Sequence, residues 1–498
     1  MTETVIVREK KHAIKKASKK PSKMKIKKND NELPFTFMLV TIMSSCGISP
    51  YESFRRLRSI TLFPFTQGES SEIVRQVEVL NKDPLSAMLR RADETESRLY
   101  GDSLRGYVST VQSGGSVASY FKSRLRSIFD IQAEAAVRSI VRLETLVEAY
   151  MVMLIVLLCT YILLSVTSSA SLLPDSLGLS FGSPILVYAI LFLVMPSMSL
   201  LFMLLAHIVR RSTIMGLRRI YYKAVPAAVA SILLLVLYLF VPQLKRLINS
   251  VGPPVFTTLC LIAISLLPMV SYRKVIGLNL RAEDAMPSFL RDVSEARKTG
   301  MTPEKSIVHG AKRKGYGSFS KVLKIIVSQI EWGVSLRKIY EDVKDRIQSW
   351  PVLANFIILI ETIEVGGGSP EALEQLADYS EKFRDIEKNK REMLKPYVML
   401  PFIWSILMSL TFVFTFFVVA QMPTSITGHS SVALSSEMGI LSSALVLQCW
   451  LSGFFVGKVV EGTFSAGFLY SILLAATSLG ALIASQRIAS VFLGAVVL

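Results

Sequence analysis

ETIEVGGGSPEALEQLADYSEKFRDIEKNKREMLKP, residues 361–396, combines a glycine break with a long helical pattern. Its three consecutive glycines, 366–368, predict the end of any preceding helix, because glycine has the largest backbone entropy cost. Ser369 is a suitable N-cap for a following helix, and Pro370 suits its first turn. Leucines and charged residues then recur at helical spacing, up to an apolar segment that starts near Tyr397. We therefore expect a soluble helix joined end-on to a membrane span.

The same arrangement occurs earlier in the chain, at a constant distance. The segments SGGS at 113–116 and GGGS at 366–369 are 253 residues apart, since 366 minus 113 is 253. Three further landmarks share this offset: Leu33-Pro34 with Met286-Pro287, Gly47-Ile48-Ser49-Pro50 with Gly300-Met301-Thr302-Pro303, and the apolar segment from Ala149 with that from Phe402. Isolated turns would not share one offset. We interpret the chain as a tandem duplication of a soluble module followed by membrane helices.

The composition is that of a membrane protein. The 498 residues are 51% hydrophobic, and the mean hydropathy is +0.46. Apolar segments long enough to cross a bilayer must be helical, because lipid cannot satisfy backbone hydrogen-bonding groups. We predict seven such spans, at about 149–169, 184–207, 224–243, 254–271, 397–420, 438–457 and 464–484. The apolar tail 485–498 leaves a partial eighth span open.

The net charge of +18 is partly concentrated in residues 1–30, which contain eleven Lys or Arg and three acidic residues. We interpret this segment as a disordered basic arm. It either contacts anionic lipid or an acidic partner, or it is a solvated tail. No aromatic or nucleic-acid-binding motif accompanies its lysines, so nucleic acid is not expected as a partner.

The distribution of basic residues between loops predicts the orientation in the cell membrane. Loops 170–183 and 421–437 contain no Lys or Arg, whereas loop 208–223 contains five. The positive-inside rule therefore places the N-terminus and both soluble modules in the cytoplasm. Lys245 and Arg246 depart from this scheme, because they fall in a loop that it makes external.

Helical periodicity predicts an all-α polytopic membrane protein with two tandem cytoplasmic helical-bundle modules, each followed by transmembrane helices. The predicted domains are the basic arm 1–30, the first module 31–148, spans one to four in 149–271, the second module 272–396, and spans five to seven with the C-terminal tail in 397–498.

The sequence contains no catalytic or cofactor motif. There is no P-loop, GxSxG or HExxH pattern, the four histidines are isolated, and the four cysteines form no CxxC pair. The segment Lys314-Gly315-Tyr316-Gly317-Ser318 is glycine-rich and basic but lacks a nucleotide-binding pattern, so we interpret it as a loop. We expect no enzymatic activity, no cofactor and no metal site.

Two other classes of function stay open at this point. One is a polytopic transporter or channel, and the other is a membrane enzyme with an unrecognised site. The cores of the predicted spans contain no Asp, Glu, Lys or Arg. Ion-coupled transport usually needs such groups within the membrane, so their absence disfavours a transporter.

The arrangement resembles the type II secretion F-domain family, the platform proteins of type IV filament machines. The motifs that carry the resemblance are Gly47-x-x-Pro50, Gly300-x-x-Pro303, Gly114-Gly115, Gly366-Gly367-Gly368 and the helical pattern 373–394 that enters a span. The additional spans and GKVVEGTFSAG at 457–467 look like the archaeal branch, which builds archaella and adhesive pili. The first copy departs from the pattern, with Gln112-Ser113 where the second has Val365-Gly366.

The resemblance implies a platform at the base of a filament. A hexameric secretion ATPase would dock on the cytoplasmic modules, and its movement would lift pilin or archaellin subunits from the membrane; a homodimer is possible in such a machine. The candidate ATPase contacts are Arg90, Arg91, Arg124, Arg126, Lys382, Arg384, Lys388 and Arg391, which we expect to be exposed. The candidate structural joints are Gly47, Pro50, Gly114, Gly115, Gly300, Pro303, Gly366, Gly367, Gly368 and Pro370.

Overall fold

The computed structural model describes residues 31–169, 184–210, 221–222, 225–226, 229–230, 252–420 and 431–493. These residues are almost all helical, and no β-strand occurs among them. The expected all-α class is therefore confirmed. The basic arm and most of the predicted third span, 224–243, lie outside the described residues.

The first repeat consists of α1 (Leu33–Ser45), α2 (Pro50–Leu57), α3 (Pro64–Glu78), α4 (Pro84–Glu94), α5 (Arg98–Gln112) and α6 (Val117–Ser169). Proline is the first residue of α2, α3 and α4, where its fixed φ suits the helix and its missing N–H costs nothing. Ser49, Asp83 and Ser97 cap α2, α4 and α5 by accepting backbone N–H hydrogen bonds of 3.1–3.3 Å. Local sequence thus sets these helix starts.

Apolar helices follow, and the last of them continues into the second repeat. They are α7 (Pro184–Ala189), a π-helical turn (Ile190–Val194), α8 (Met195–Val209) and the long α9 (Pro253–Lys298). The second repeat continues with α10 (Pro303–Lys312), a 3₁₀ turn (Gly317–Phe319), α11 (Ser320–Glu331), α12 (Leu336–Arg346), α13 (Trp350–Gly366), α14 (Pro370–Leu394), a second 3₁₀ turn (Lys395–Val398) and α15 (Met399–Ala420). The last two helices are α16 (Ser431–Glu461) and α17 (Phe464–Leu493).

Helix starts and turns of the two repeats coincide at the offset of 253 residues found in the sequence. The matching pairs are the helix starts Pro50 and Pro303, the helix starts Val117 and Pro370, and the turn glycines Gly47 and Gly300 (φ 79° and 86°) and Gly114 and Gly367 (φ 72° and 63°). Equivalent glycines of the two repeats adopt the same left-handed backbone conformation, so the duplication is visible in the structure as well as in the sequence.

Contacts divide the chain into two compact units, which do not follow the repeats. Unit 1 contains Met1–Ala135, Arg297–Pro303 and Ile357–Tyr379. Unit 2 contains Ala136–Ala296, Glu304–Phe356 and Ser380–Leu498. The predicted module boundaries describe the repeats in the sequence, and they stay a prediction.

The core of unit 1 is built around α1. Every residue from Leu33 to Met43 in this helix is buried. The ring of Phe37 lies 6.0 Å from that of Tyr100 and 6.2 Å from that of Phe121, measured between centroids. A helix that is apolar on all sides must be surrounded by other elements, and the short helices of the first repeat provide that cover.

Six helical segments in the described residues are long and apolar enough to cross a membrane, and the chain is a multi-pass membrane protein. They are Val117–Ser165, Val187–Val209, Pro253–Lys298, Pro370–Val418, Met438–Glu461 and Phe464–Ala489. They correspond to six of the seven predicted spans, and the third predicted span is the one outside the described residues.

Two helices near the C-terminus extend beyond the predicted spans. α16 begins at Ser431, within the loop predicted over 421–437, and the apolar span in it starts at Met438, as predicted. α17 continues to Leu493, into the tail predicted from 485, and a partial eighth span stays a prediction. Arg487 lies in this extension, and its side chain is exposed near the helix end, where a long basic side chain can reach the interface.

α16 and α17 pack closely because glycines face each other. A Cβ added at Gly457 would lie 2.3 Å from the Gly467 nitrogen, and one at Gly453 would lie 2.3 Å from the Ser471 Cα. Small residues allow membrane helices to approach in this way. The GxxxG pair therefore forms a helix contact.

We expect Gly457→Ala to weaken this contact, because the added methyl group would overlap the backbone of α17. Overpacking of this kind costs roughly 1–3 kcal/mol. Thermal unfolding of the purified protein in detergent should show a lower midpoint. Gly480→Ala, in α17, is the matched control, since nothing lies within 4 Å of a Cβ there. Equal midpoints for the two variants would contradict the close approach.

Candidate functional site

The predicted glycine break is a left-handed turn in unit 1. α13 ends at Gly366, and Gly367 and Gly368 both have φ 63°. Side chains other than glycine rarely adopt this conformation, since their Cβ approaches the following carbonyl oxygen. Ser369 Oγ then accepts a 3.3 Å hydrogen bond from the Ala372 N–H and caps α14. The expected break and cap are both present.

Arg297, at the end of α9, holds this turn from outside. Its Nε donates to the Gly368 carbonyl at 2.9 Å, and its Nη2 donates to the Gly367 carbonyl at 3.0 Å. Carbonyls near a helix end have no intrahelical partner, so this guanidinium satisfies them. The sequence did not identify Arg297, because the contact joins residues 70 and 71 positions apart.

The first repeat contributes an ion pair next to the same turn. Arg56 Nη1 lies 3.2 Å from Glu361 Oε2, and the Glu361 side chain is fully buried. Cys46 is also close, since a Cβ at Gly366 would lie 3.0 Å from its Sγ. A buried carboxylate that loses its partner is strongly destabilising, so this pair fixes α2 against α13. Sequence reasoning missed it, because Arg56 resembles any surface arginine of an amphipathic helix.

The other candidate joint residues also lie at helix ends. Gly47, Gly114 and Gly300 adopt positive φ, whereas Gly115 does not. Pro50, Pro303 and Pro370 are the first residues of α2, α10 and α14. Their places in turns agree with the sequence pattern, and a role in movement stays a prediction.

In unit 2, equivalent positions of the two repeats touch each other. Glu144 accepts a hydrogen bond from the hydroxyl of Tyr397, and these residues are 253 positions apart. Further along the same helices, the rings of Tyr161 and Phe412 stack with centroids 5.6 Å apart. α6 and the α14–α15 segment therefore run parallel and nearly in register.

A buried polar cluster also lies in unit 2. The Tyr150 hydroxyl is 3.0 Å from Ser199 Oγ and 2.7 Å from Ser452 Oγ. Ser199 and Ser452 are themselves separated by 253 positions, because 452 minus 199 is 253. Gln448 Nε2 donates to Ser199 Oγ at 2.7 Å. One tyrosine thus joins α6 to α8 and α16 inside the membrane region.

The eight candidate ATPase contacts differ in exposure. Arg90, Arg126, Lys382 and Lys388 are exposed, but Arg91, Arg124, Arg384 and Arg391 are half-buried, so the expectation of full exposure is wrong for these four. The reason is that they have structural partners. Arg91 Nε lies 2.6 Å from Glu69 Oε2, and Arg391 Nη2 lies 2.6 Å from Glu283 Oε2.

Three of these residues meet at a cavity of about 270 Å³ in unit 2. Arg384, Lys388 and Arg391 line it from α14, opposite Glu283 of α9 and Glu461 of α16. The cavity thus connects the end of the bundle with the end of a membrane helix. In the part of the chain that is described, no group of three or more His, Cys, Asp or Glu is placed to hold a metal ion.

Two repeats, each with a long helix joined to an apolar segment of span length, define a multi-pass membrane protein with an internal duplication. The family "Type II secretion system (T2SS), protein F" matches residues 37–165 and 289–416, which is more than half of the chain and falls once on each repeat. The chain belongs to this family. It is accordingly a platform-type membrane protein, and proteins of this family are non-catalytic platforms.

A relative comes from Methanocaldococcus jannaschii. This uncharacterized protein is 23% identical over 478 residues, which cover 90% of the present chain and 78% of the relative. No solved structure matches the chain.

We expect Gly367→Ala to destabilise the protein by about 1–2 kcal/mol, because alanine is strained at this positive φ. Space is not the cause, since nothing lies within 4 Å of an added Cβ. Gly277→Ala is the matched control, because Gly277 is helical with similar free space and helical alanine is favoured over glycine. The midpoint of chemical unfolding should therefore shift in opposite directions from the wild-type value for the two variants. A shift in the same direction would contradict the strained turn.

Proposed function

We propose that this chain is the core membrane platform of an archaeal type IV filament machine, either an archaellum or an adhesive pilus. The observation that carries the proposal is the direct connection from each module to a span. α6 runs for 53 residues without a break, from the first bundle into the membrane. α14 and α15 repeat this connection, interrupted only by the 3₁₀ turn Lys395–Val398.

Such connections suit the transmission of movement. A 53-residue helix is about 80 Å long at 1.5 Å per residue, and its hydrogen-bonded backbone resists bending. A hexameric secretion ATPase that displaces the modules would displace the spans with them. Pilin or archaellin subunits would then be moved from the lipid into the filament. The glycine turn held by Arg297 lies between α13 and α14, where the chain changes direction, and we propose it as the coupling joint.

The archaeal assignment rests on two features. The relative in Methanocaldococcus jannaschii aligns with 90% of the chain. The C-terminal pair α16–α17 also contains the GKVVEGTFSAG segment at 457–467 that resembles the archaeal branch. The competing transporter hypothesis predicts solute flux into proteoliposomes containing the chain alone, and it predicts no ATPase partner.

The orientation is a separate proposal: the N-terminus and both modules are cytoplasmic, and loops 170–183 and 421–437 are external. Cysteines introduced at Ser176 and Ser430 should react with a membrane-impermeant maleimide in intact cells. Ser86→Cys is the control, because Ser86 is exposed on the first module and should react only after lysis. If Ser86→Cys is labelled in intact cells and the two loop cysteines are not, the orientation is the opposite of the one proposed.

We expect the ATPase to bind through exposed basic residues of α14. Lys382→Glu combined with Lys388→Glu should weaken co-purification of the secretion ATPase several-fold and reduce filament number, because charge complementarity across the contact is lost. The wild-type complex should also loosen as salt rises.

The matched control is Lys324→Glu with Lys338→Glu, which makes the same charge change at exposed positions on α11 and α12. If both double variants lose the same amount of co-purified ATPase, the ATPase contact cannot be assigned to α14. A wild-type chain that retains no secretion ATPase at low salt would overturn the proposed function itself.

A further inference from the structure

A polar cavity of about 570 Å³ lies in unit 2, between α9 and the loop that follows α10. Its volume is in the range of small-molecule sites, roughly 300–1,000 Å³. The cationic side chains that line it are Arg281, Arg291, Arg313 and Lys314. The carboxylates that line it are Asp284, Asp292 and Glu381, so its net charge is +1.

The loop on one side of the cavity is fixed to its surroundings at two points. The Tyr316 hydroxyl shares its one proton between the Asp292 carboxylate and the Gly310 carbonyl, whose oxygen is 3.0 Å away, and Ser318 Oγ donates to the Gly277 carbonyl of α9 at 3.3 Å. Burial, and then the hydrogen bond to Asp292, raise the pKa of Tyr316, so its hydroxyl stays protonated. The glycine-rich basic segment seen in the sequence is therefore an ordered wall.

Gly317 brings this loop directly onto Arg281. Its φ is 57°, and a Cβ there would lie 3.1 Å from Arg281 Cδ and 3.3 Å from Arg281 Nη1. Only glycine combines this backbone with this approach. The guanidinium of Arg281 and the backbone of the loop thus form a single surface.

Part of the positive charge is already paired. Arg291 Nη2 lies 2.9 Å from Glu381 Oε2, and Arg313 pairs with Asp292. Among the described residues, no carboxylate pairs with Arg281 or Lys314, and no cation pairs with Asp284. Two cations and one carboxylate are therefore available to a ligand.

The first repeat serves as an internal reference for this cavity. The positions 253 residues earlier than Arg291, Asp292, Arg313, Tyr316 and Glu381 are Met38, Leu39, Ile60, Phe63 and Ile128. All five are apolar and at most 4% exposed. The module fold therefore does not require polar or charged residues at these five positions, where the first repeat has packed core.

We propose that this cavity binds an anion carrying one or more phosphate groups. Lys314 offers a mobile point charge and Arg281 offers a planar fork of donors, and Gly315 and Gly317 line the same cavity. Arg281 lies about 15 Å along α9 from the end of its apolar part near residue 271, so either a lipid headgroup or a soluble phosphate compound can supply the anion. The proposal is independent of the filament role.

The test uses the full-length protein purified in neutral detergent. Calorimetric titration with pyrophosphate and with magnesium-free ATP should show saturable binding that weakens with salt. Arg281→Ala with Lys314→Ala should lower the affinity about tenfold, as expected for lost charge-assisted hydrogen bonds. Asp284→Asn should raise the affinity, because it removes the unpaired negative charge. A second arm compares nanodiscs of zwitterionic lipid with nanodiscs that also contain phosphatidylglycerol.

The matched control is Lys324→Ala with Lys338→Ala, which removes the same charge from exposed positions outside the cavity. If pyrophosphate or ATP binds to the wild-type protein and to the control variant but not to the cavity variant, the ligand is a soluble phosphate compound. If only phosphatidylglycerol is retained by the protein, and the cavity variant loses this retention, the ligand is a lipid headgroup. The proposal is overturned if neither arm shows binding, if the control loses as much affinity as the cavity variant, or if Asp284→Asn weakens binding.

Discussion

Lipid cannot form hydrogen bonds with a polypeptide backbone, and this constraint organises the whole molecule. A chain that leaves a soluble bundle and enters the bilayer must do so as a helix whose hydrogen bonds are already made. α6 meets the condition with one continuous helix, and α14–α15 meets it with a single 3₁₀ turn between them. In each repeat the first span is therefore joined directly to the helix that precedes it.

Local signals in the sequence predicted most of the fold. Positive-φ glycines and first-turn prolines depend on a few neighbouring residues, and they recur at one offset in both repeats. Contacts between distant residues were not predictable in this way. The Arg56–Glu361 pair joins positions 305 apart, and Arg297 reaches carbonyls about 70 positions away. For the same reason four basic candidates, Arg91 and Arg391 among them, are less exposed than their helical patterns indicate.

The parallel packing of α6 with the α14–α15 segment brings equivalent positions of the two repeats together. Glu144 contacts Tyr397, 253 positions later, and the Tyr150 hydroxyl contacts both Ser199 and Ser452, which are separated by the same offset. These hydrogen bonds need α6, α8 and α16 in one register, so the polar cluster favours one relative position of the three helices.

The duplication also allows the two modules to differ where packing permits. α1 is buried along Leu33–Met43, so any charge there would lose its hydration without compensation. The equivalent part of α9 has an open face, where Ser288 and Arg291 are exposed, and charge is tolerated on it at little cost. The two repeats therefore share a backbone pattern but differ in their surfaces. A dimer of identical single-repeat chains would present every surface twice. Covalent linkage of two unlike copies removes that restriction, so a charged cavity can be formed by the second repeat where the first has buried apolar residues.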